Sequence, residues 1–225
     1  MKQLTTKAPL VKLYPAVALA AVLLASGVNS KATPLAPGGS LFPPPTIAPP
    51  TGTLVASLAS PFGSSTLLGT LFSEVWRDTS NPFGAGDLTF TYRIELSSGS
   101  PNGVSQISVG NYDSFGVDAG FSVLPGATAP TFFSRSNEGG GKGDVLQLHF
   151  GPLALGSDEL QPGHNSDLLV IRTSAANFQA STASIIDGVA VPNVATFTPL
   201  VPEPSNAALL GLGTTIALLW RRKHH

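Results

Sequence analysis

The chain has 225 residues, no cysteine and a formal net charge of −1. Its length suits one domain with processing segments, and the missing cysteines exclude a disulfide framework and thiolate chemistry. The net charge conceals an acidic body, because residues 33–200 hold five basic side chains against twelve acidic ones, a net charge of −7. This balance argues against a nucleic-acid partner, since binding to phosphates needs clustered cations.

The first 32 residues have the features of a secretory signal peptide. Three lysines precede an apolar run at Ala16–Ala25, and Ser30–Ala32 places small residues around a cleavage point. We therefore expect residues 1–32 to form a signal helix that the Sec translocon recognises. Cleavage after Ala25 or Gly27 is an alternative, and so is an uncleaved membrane anchor, although the apolar run is short for a span.

Residues 33–50 form a proline-rich segment, with seven prolines in 18 positions. Proline fixes φ and has no backbone N–H donor, so the segment favours polyproline II and cannot join a central strand. The expected structure is an extended linker at the mature N-terminus. A ligand for a proline-reading partner is the alternative interpretation.

Residues 51–199 are predicted to be the folded body, and their pattern is that of strands. Within Asp87–Ser97, apolar and polar side chains alternate five times, which is typical of a strand with one buried and one wet face. A second strand is expected at Gly69–Arg77, where a slip in the alternation suggests a β-bulge. Further strands are predicted at residues 104–112, 145–150, 168–173 and 184–197.

No part of the body carries a helical apolar stripe, and glycine and proline clusters separate the expected strands. The predicted fold class is therefore all-β. We expect an antiparallel β-sandwich or jelly-roll-like body, flanked by an N-terminal signal helix and a C-terminal transmembrane helix.

The body offers little that indicates catalysis. It lacks zinc-ligand spacing and a Gly-x-Ser-x-Gly elbow. His149 alternates with apolar neighbours and is expected to face solvent, and His164 is expected in a turn. Glu74 and Glu95 are interpreted either as charge pairs with arginines on a wet sheet face or as a glycosidase pair. We predict no cofactor and no enzymatic activity, with a secreted hydrolase as the least favoured alternative.

Two loops carry candidate ligands for calcium. Asp113 and Asp118 are expected in one loop with Asn111, and a second group of oxygen donors falls within residues 137–144. Hard oxygen ligands in loops suit Ca²⁺, but neither group matches the EF-hand pattern. The expectation is therefore that no metal is bound, with Asp113 and Asp118 as the candidates if one is.

Aromatic residues in the body have two interpretations. Trp76 is expected to lie in the core, and the alternative is a platform on which a sugar ring stacks. Tyr112 and Phe115, in an expected loop, would be further sugar contacts in that alternative. A carbohydrate-binding surface module is thus an alternative function for the body.

The C-terminal residues follow a different pattern from the body. Fourteen residues without a charge end at Trp220, and their helix would measure about 21 Å. That length is short for a membrane span and would also suit a buried helix. Trp220 at the polar boundary, with Arg221, Arg222 and Lys223 after it, favours a transmembrane segment at 206–220 with a stop-transfer end on the cytoplasmic side.

Ahead of this segment stands a motif in which two prolines bracket a glutamate and keep the backbone extended. Its residues are Val201, Pro202, Glu203, Pro204 and Ser205. The motif, the Gly-containing apolar segment and the basic end together resemble the PEP-CTERM sorting signal of Gram-negative bacteria, over about 25 of the 225 residues. The resemblance implies that an exosortase recognises Pro202, Glu203 and Pro204 and processes the chain nearby.

The resemblance also implies a destination. The precursor would be anchored transiently in the inner membrane and then reach the cell surface or an exopolysaccharide matrix. Residues 81–84 with the strand after them, and residues 185–189, resemble bodies often attached to this signal. The short apolar segment and the terminal His224 and His225 depart from the family pattern. The expected function is an exported, exosortase-processed surface or biofilm-matrix protein with a non-catalytic body, and exopolysaccharide is a candidate partner.

Overall fold

A computed structural model of the protein describes residues 34–137, 143–151, 159–188 and 190–201. These residues form eleven strands in two antiparallel sheets and contain no helix, which confirms the predicted all-β class. The strands are β1 (Ser40–Leu41), β2 (Gly52–Gly63), β3 (Leu68–Asp78), β4 (Leu88–Leu96), β5 (Gln106–Val109), β6 (Val117–Ser122), β7 (Phe132–Arg135), β8 (Leu146–His149), β9 (Leu168–Thr173), β10 (Phe178–Ile186) and β11 (Ala190–Pro199).

The two sheets share one hydrophobic core. The five-stranded sheet has the order β2-β3-β4-β9-β6, and the six-stranded sheet has the order β1-β7-β8-β5-β10-β11. Hairpins join β2 to β3, β3 to β4, β7 to β8 and β10 to β11, whereas the other connections pass from one sheet to the other. Buried side chains from both sheets form a single cluster, so the body is sandwich-like.

The predicted signal helix, residues 1–32, and the predicted transmembrane segment, residues 206–220, lie outside the described residues. The same holds for most of the sorting motif, from Pro202 onward, and for the basic end at Arg221, Arg222 and Lys223. In the part of the chain that the structure describes, no helix is long and apolar enough to cross a membrane.

The strand predicted from the clearest alternation is β4, in the middle of the five-stranded sheet. Its apolar side chains, from Leu88 to Leu96, are buried in the shared core. The expectation of a fully wet second face is wrong, because Thr89 and Thr91 on that face are also buried. Only the far end of this face is partly open, at Arg93 and Glu95, which form an ion pair.

The slip in alternation along β3 does not reflect a bulge in that strand. β3 pairs with β4 in continuous register from Gly69 to Arg77. Ser73 occupies the inward position between two apolar side chains, and Phe72 and Trp76 point to the outer face. The irregularity lies in the neighbouring edge strand β2, at Val55, where the register to β3 shifts. The alternation of apolar and polar residues slips in β3 because the polar residue Ser73 takes a position that faces the core.

Other strands have different bounds in the structure from those predicted. The segment predicted as one strand over residues 184–197 is a hairpin, in which β10 turns through Gly188 into β11. Gly188 has a φ of +108°, a conformation that a side-chain-bearing residue rarely adopts. Four strands were not predicted, namely β1, β2, β6 and β7. The longest of them, β2, has small and uncharged residues that show no clear alternation.

The proline-rich segment is not a free linker from residue 34 onward. The backbone N–H of Leu35 donates to Val117 O and that of Ile47 to Phe121 O, each at 2.8 Å, and both side chains are buried. Gly120 makes this contact possible, because a Cβ there would lie 2.6 Å from Pro45 O and 2.9 Å from the Ile47 side chain. The residues between the prolines supply the donors that proline lacks.

Candidate functional site

The expected sorting function rests on the C-terminal motif, and the structure describes the chain as far as Val201, the first residue of that motif. β11 ends at Pro199, and the backbone N–H of Leu200 donates to Asn177 O at 3.0 Å. Val201 is half-buried, and it is the last described residue. The motif therefore begins two residues after the last strand, so the folded body leaves almost no spacer before Pro202.

Polar contacts from the opposite sheet hold β11 in place. β11 is an edge strand, so one side of its backbone lacks a neighbouring strand. Ser73 Oγ accepts a hydrogen bond from Phe197 N at 3.2 Å and lies 2.9 Å from Thr196 Oγ1. The Tyr92 hydroxyl donates to Phe197 O at 2.8 Å. These bonds satisfy groups that a sheet edge usually exposes to water.

Tyr112 extends this network and cannot serve as a sugar contact. Its side chain is fully buried, and its hydroxyl lies 2.8 Å from the hydroxyl of Tyr92. Because Tyr92 uses its single hydrogen on Phe197 O, Tyr112 must donate the second bond. Burial raises the pKa of both tyrosines, so both hydroxyls stay protonated at neutral pH. The prediction of Tyr112 as a binding residue is wrong because it faces the core.

Trp76 lies on the outer face of the five-stranded sheet, which corrects the expectation of a core residue. It is half-buried, and its indole N–H donates to Glu74 Oε2 at 3.0 Å. Further along the same face, the guanidinium of Arg93 lies 4.3 Å from the centre of the Phe72 ring and pairs with Glu95. The face therefore combines aromatic rings with charged and hydroxyl groups.

The two glutamates on this face are not placed as a glycosidase pair. Glu74 stands opposite Thr91, whereas Glu95 stands opposite Thr70. Four residues along a strand, about 13 Å, separate the backbone positions of the two glutamates, and each carboxylate is engaged by a different side chain. Glu95 pairs with Arg93, as in the charge-pair interpretation, whereas Glu74 accepts a hydrogen bond from the indole of Trp76.

The calcium candidates do not form one site. Asp118 lies in β6, buried, with its Oδ2 at 3.9 Å from Arg172 Nη1. Asp113 lies in the loop before β6, half-buried, and its Oδ1 accepts a hydrogen bond from the Ser114 hydroxyl at 3.1 Å. From the other candidate loop, Asp144 Oδ1 accepts from the backbone N–H of Asn111. Among the described residues, no group of three or more acidic or histidine side chains could hold a metal ion.

A buried ionic cluster that sequence patterns did not indicate lies under the loop after β3. Arg172 Nε donates to Asp78 Oδ2 at 3.3 Å, and Thr89 donates to the same oxygen. The other oxygen, Oδ1, accepts from Thr51 N and from Ser80. Burial alone would raise the pKa of Asp78, but the bonds from Ser80, Thr51 and Thr89 outweigh it and hold this pKa below its usual value.

A second buried cation joins several loops. Arg135 donates four hydrogen bonds to backbone carbonyls, at 2.7–3.0 Å. Their acceptors are Leu35, Tyr112, Phe115 and Gly143. The guanidinium matches this role because it has five donors in a fixed plane and no acceptor. Its function is to tie the proline-rich segment and the loop before β6 to the sheet.

His149 is more buried than expected, whereas His164 is exposed as expected. His149 projects from β8 toward the outer face, but it is half-buried against Phe132, with ring centres 5.2 Å apart. Burial lowers the pKa of His149, which favours the neutral ring at neutral pH. His164 lies exposed in the turn before β9, as predicted.

One open depression is described, at the end of the sandwich away from Val201. Its volume is about 450 Å³, and hydroxyl, amide and carboxylate groups supply most of its lining. The lining residues are Gly69, Thr70, Glu95, Leu96, Ser97, Ser98, Gly163 and Asn165.

Comparison of the chain with protein-family models, curated proteins and solved structures finds no significant match.

Proposed function

We propose that this chain is an exported protein that is sorted through its C-terminal tail and carries a non-catalytic, jelly-roll-like body. The supporting observation is the join between body and tail. Strand β11 is held by Ser73 and Tyr92, and only two residues, Leu200 and Val201, separate its end from Pro202. The rigid Pro-Glu-Pro then stands between a folded domain and an apolar segment, where an extended backbone is open to a processing enzyme.

The segments on either side of the body have separate roles in this sorting. Residues 1–32 direct export through the Sec translocon, and the helix at 206–220 holds the precursor in the inner membrane. Arg221, Arg222 and Lys223 stop its transfer. An exosortase of the PEP-CTERM system then recognises Pro202, Glu203 and Pro204 and releases the body to the cell surface or the exopolysaccharide matrix. The acidic composition suits such an exported domain, and the missing cysteines do not argue against export.

The test follows the C-terminus of the protein in an exosortase-bearing host. Mass spectrometry of surface and membrane fractions should find the mature protein without its basic end. Glu203→Ala should leave membrane insertion intact and stall processing, so that the precursor accumulates in the membrane fraction. Neutral replacements of Arg221, Arg222 and Lys223 should instead weaken retention. Surface protein that still ends at His225 would show that the tail is only a permanent anchor.

Carbohydrate binding is the second candidate function, and the position of Trp76 favours it. An indole on an outer sheet face beside a carboxylate offers stacking and hydrogen bonding together, which are the contacts that sugars need. Binding of matrix polysaccharide by the full chain, lost in Trp76→Ala and kept in Phe115→Ala, would support binding at this sheet face and not at the loop before β6, where Phe115 lies. Equal pull-down by both variants would exclude this face.

A further inference from the structure

The chain leaves the sandwich at one particular end, which we call the exit end. It consists of the loops 79–87, 110–116 and 174–177 together with residues 199–201. Hydrogen bonds connect these segments, since Gly116 N donates to Ser174 Oγ at 2.9 Å and Leu200 N donates to Asn177 O at 3.0 Å. The opposite end, which carries the open depression, lies about 35 Å away, the length of the 11-residue strand β3.

Two large apolar side chains are exposed at the exit end. Phe83 is 37% exposed and Leu200 is 41% exposed. The Phe83 ring packs directly against Gly116, so closely that a Cβ at this glycine would collide with it. This contact fixes the position of the ring. Leu200 is fixed through its backbone bond to Asn177. Both side chains are thus presented by ordered backbone next to the start of the tail.

The length of chain beyond Val201 limits where this end can lie. Five residue steps separate Val201 from Asn206, and an extended chain spans at most about 17 Å over that distance. The headgroup layer of a bilayer adds about 5–7 Å outside the hydrocarbon core. If the segment from 206 to 220 enters the bilayer, as proposed above, the exit end must lie at or near the lipid headgroups.

We propose that the exit end rests on the membrane surface through Phe83 and Leu200 while the precursor is anchored. This inference depends on the proposed membrane anchor. The charges around the two side chains indicate the type of lipid. Two carboxylates, those of Asp87 and Asp113, lie in these loops against the one guanidinium of Arg77, which donates to Gly86 O, so the charge of these three groups is net negative. The contact therefore suits zwitterionic headgroups and is weakened by anionic ones.

Such a contact has a consequence for sorting. It holds the body upright, with the Pro-Glu-Pro at the lipid surface and the depression facing away from the membrane. An enzyme embedded in the bilayer would then meet the motif in a restricted position. Removing the apolar pair should leave the anchor intact and change only the orientation of the body.

The absence of cysteine from the whole chain permits a clean test by labelling. The full chain is reconstituted in phosphatidylcholine vesicles after a polarity-sensitive dye is attached at Ala85→Cys, in the exit end, or at Ser98→Cys, at the opposite end. Both positions are exposed. Lipids that carry a spin label near the headgroup quench dyes at the surface. We expect strong quenching at position 85 and none at position 98.

Two further variants and a second vesicle type separate the possible outcomes. Leu200→Ser and, separately, Phe83→Ser should each reduce quenching at position 85 while vesicle association stays unchanged. Vesicles with anionic lipid should also reduce it. Vesicle association with equal quenching at both positions overturns the proposed orientation and leaves the anchor standing. A chain that does not associate with vesicles overturns both proposals.

Discussion

The hydroxyl of Tyr92, at the centre of the five-stranded sheet, donates a 2.8 Å hydrogen bond to the backbone oxygen of Phe197 in the last strand of the other sheet. The bond crosses the core and ends only two residues before Pro199, where β11 stops. It therefore connects the best-packed strand of the body to the strand from which the tail continues.

Tyr92→Phe should lower the free energy of unfolding by about 1–3 kcal/mol, because it leaves Phe197 O and the Tyr112 hydroxyl without partners in the core. Tyr112→Phe is the matched control. It removes one hydroxyl of the same kind but keeps the bond to Phe197, so its cost should be smaller, about 0.5–1.5 kcal/mol. Urea unfolding of both variants gives the comparison, and equal costs would contradict the inferred direction of the bonds.

Arg172→Ala should be one of the most destabilising polar substitutions in the body. It leaves the buried Asp78 carboxylate without its cation and removes the bond to Ala48 O, at a cost of about 3–5 kcal/mol. Arg93→Ala should change the free energy of unfolding by only about 0–1 kcal/mol, because its partner Glu95 is 42% exposed. Denaturant unfolding measures both, and similar losses would contradict the difference in burial.

Acid should destabilise the body through Asp78. Its pKa is lowered in the folded state, so its contribution is present above the unfolded pKa of about 3.9 and is lost as pH falls through the lower folded value. The free energy of unfolding should therefore fall as the pH is taken from about 4 toward 2. Asp78→Asn should be less stable at neutral pH and show a shallower acid slope. Parallel slopes for the two proteins would contradict this role.

Gly120→Ala should separate the proline-rich segment from the sheet. The new methyl group would lie 2.6 Å from Pro45 O, so the segment must shift, at a cost of about 1–3 kcal/mol. Gly99→Ala is the control, because its Cβ would meet only the Ser97 hydroxyl at 3.8 Å. Hydrogen exchange at Ile47 N, which is bonded to Phe121 O, should accelerate in the first variant alone.

The alternation within residues 87–97 was sufficient to predict β4 and its core side chains, because successive side chains of a strand point to opposite faces. The same rule predicted β3 but wrongly suggested a bulge there, because Ser73 occupies an inward position. Its hydroxyl is satisfied by Thr196, 123 residues away in the chain. A local pattern cannot reveal a partner at that separation, so the polar residue was interpreted as the sign of a β-bulge.

The sequence by itself determined the fold class and the clearest strand, because these depend on local periodicity. The proposed role of the tail also comes from the sequence alone, from residues adjacent in the chain, and stays a prediction. Only the tertiary structure decided that residues 34–50 pack on the body, that Trp76 faces outward and Tyr112 inward, and that Asp78 meets Arg172. Each of these depends on which strands become neighbours and on what covers the second face of a sheet. Those contacts join distant parts of the chain, and no pattern within a single segment records them.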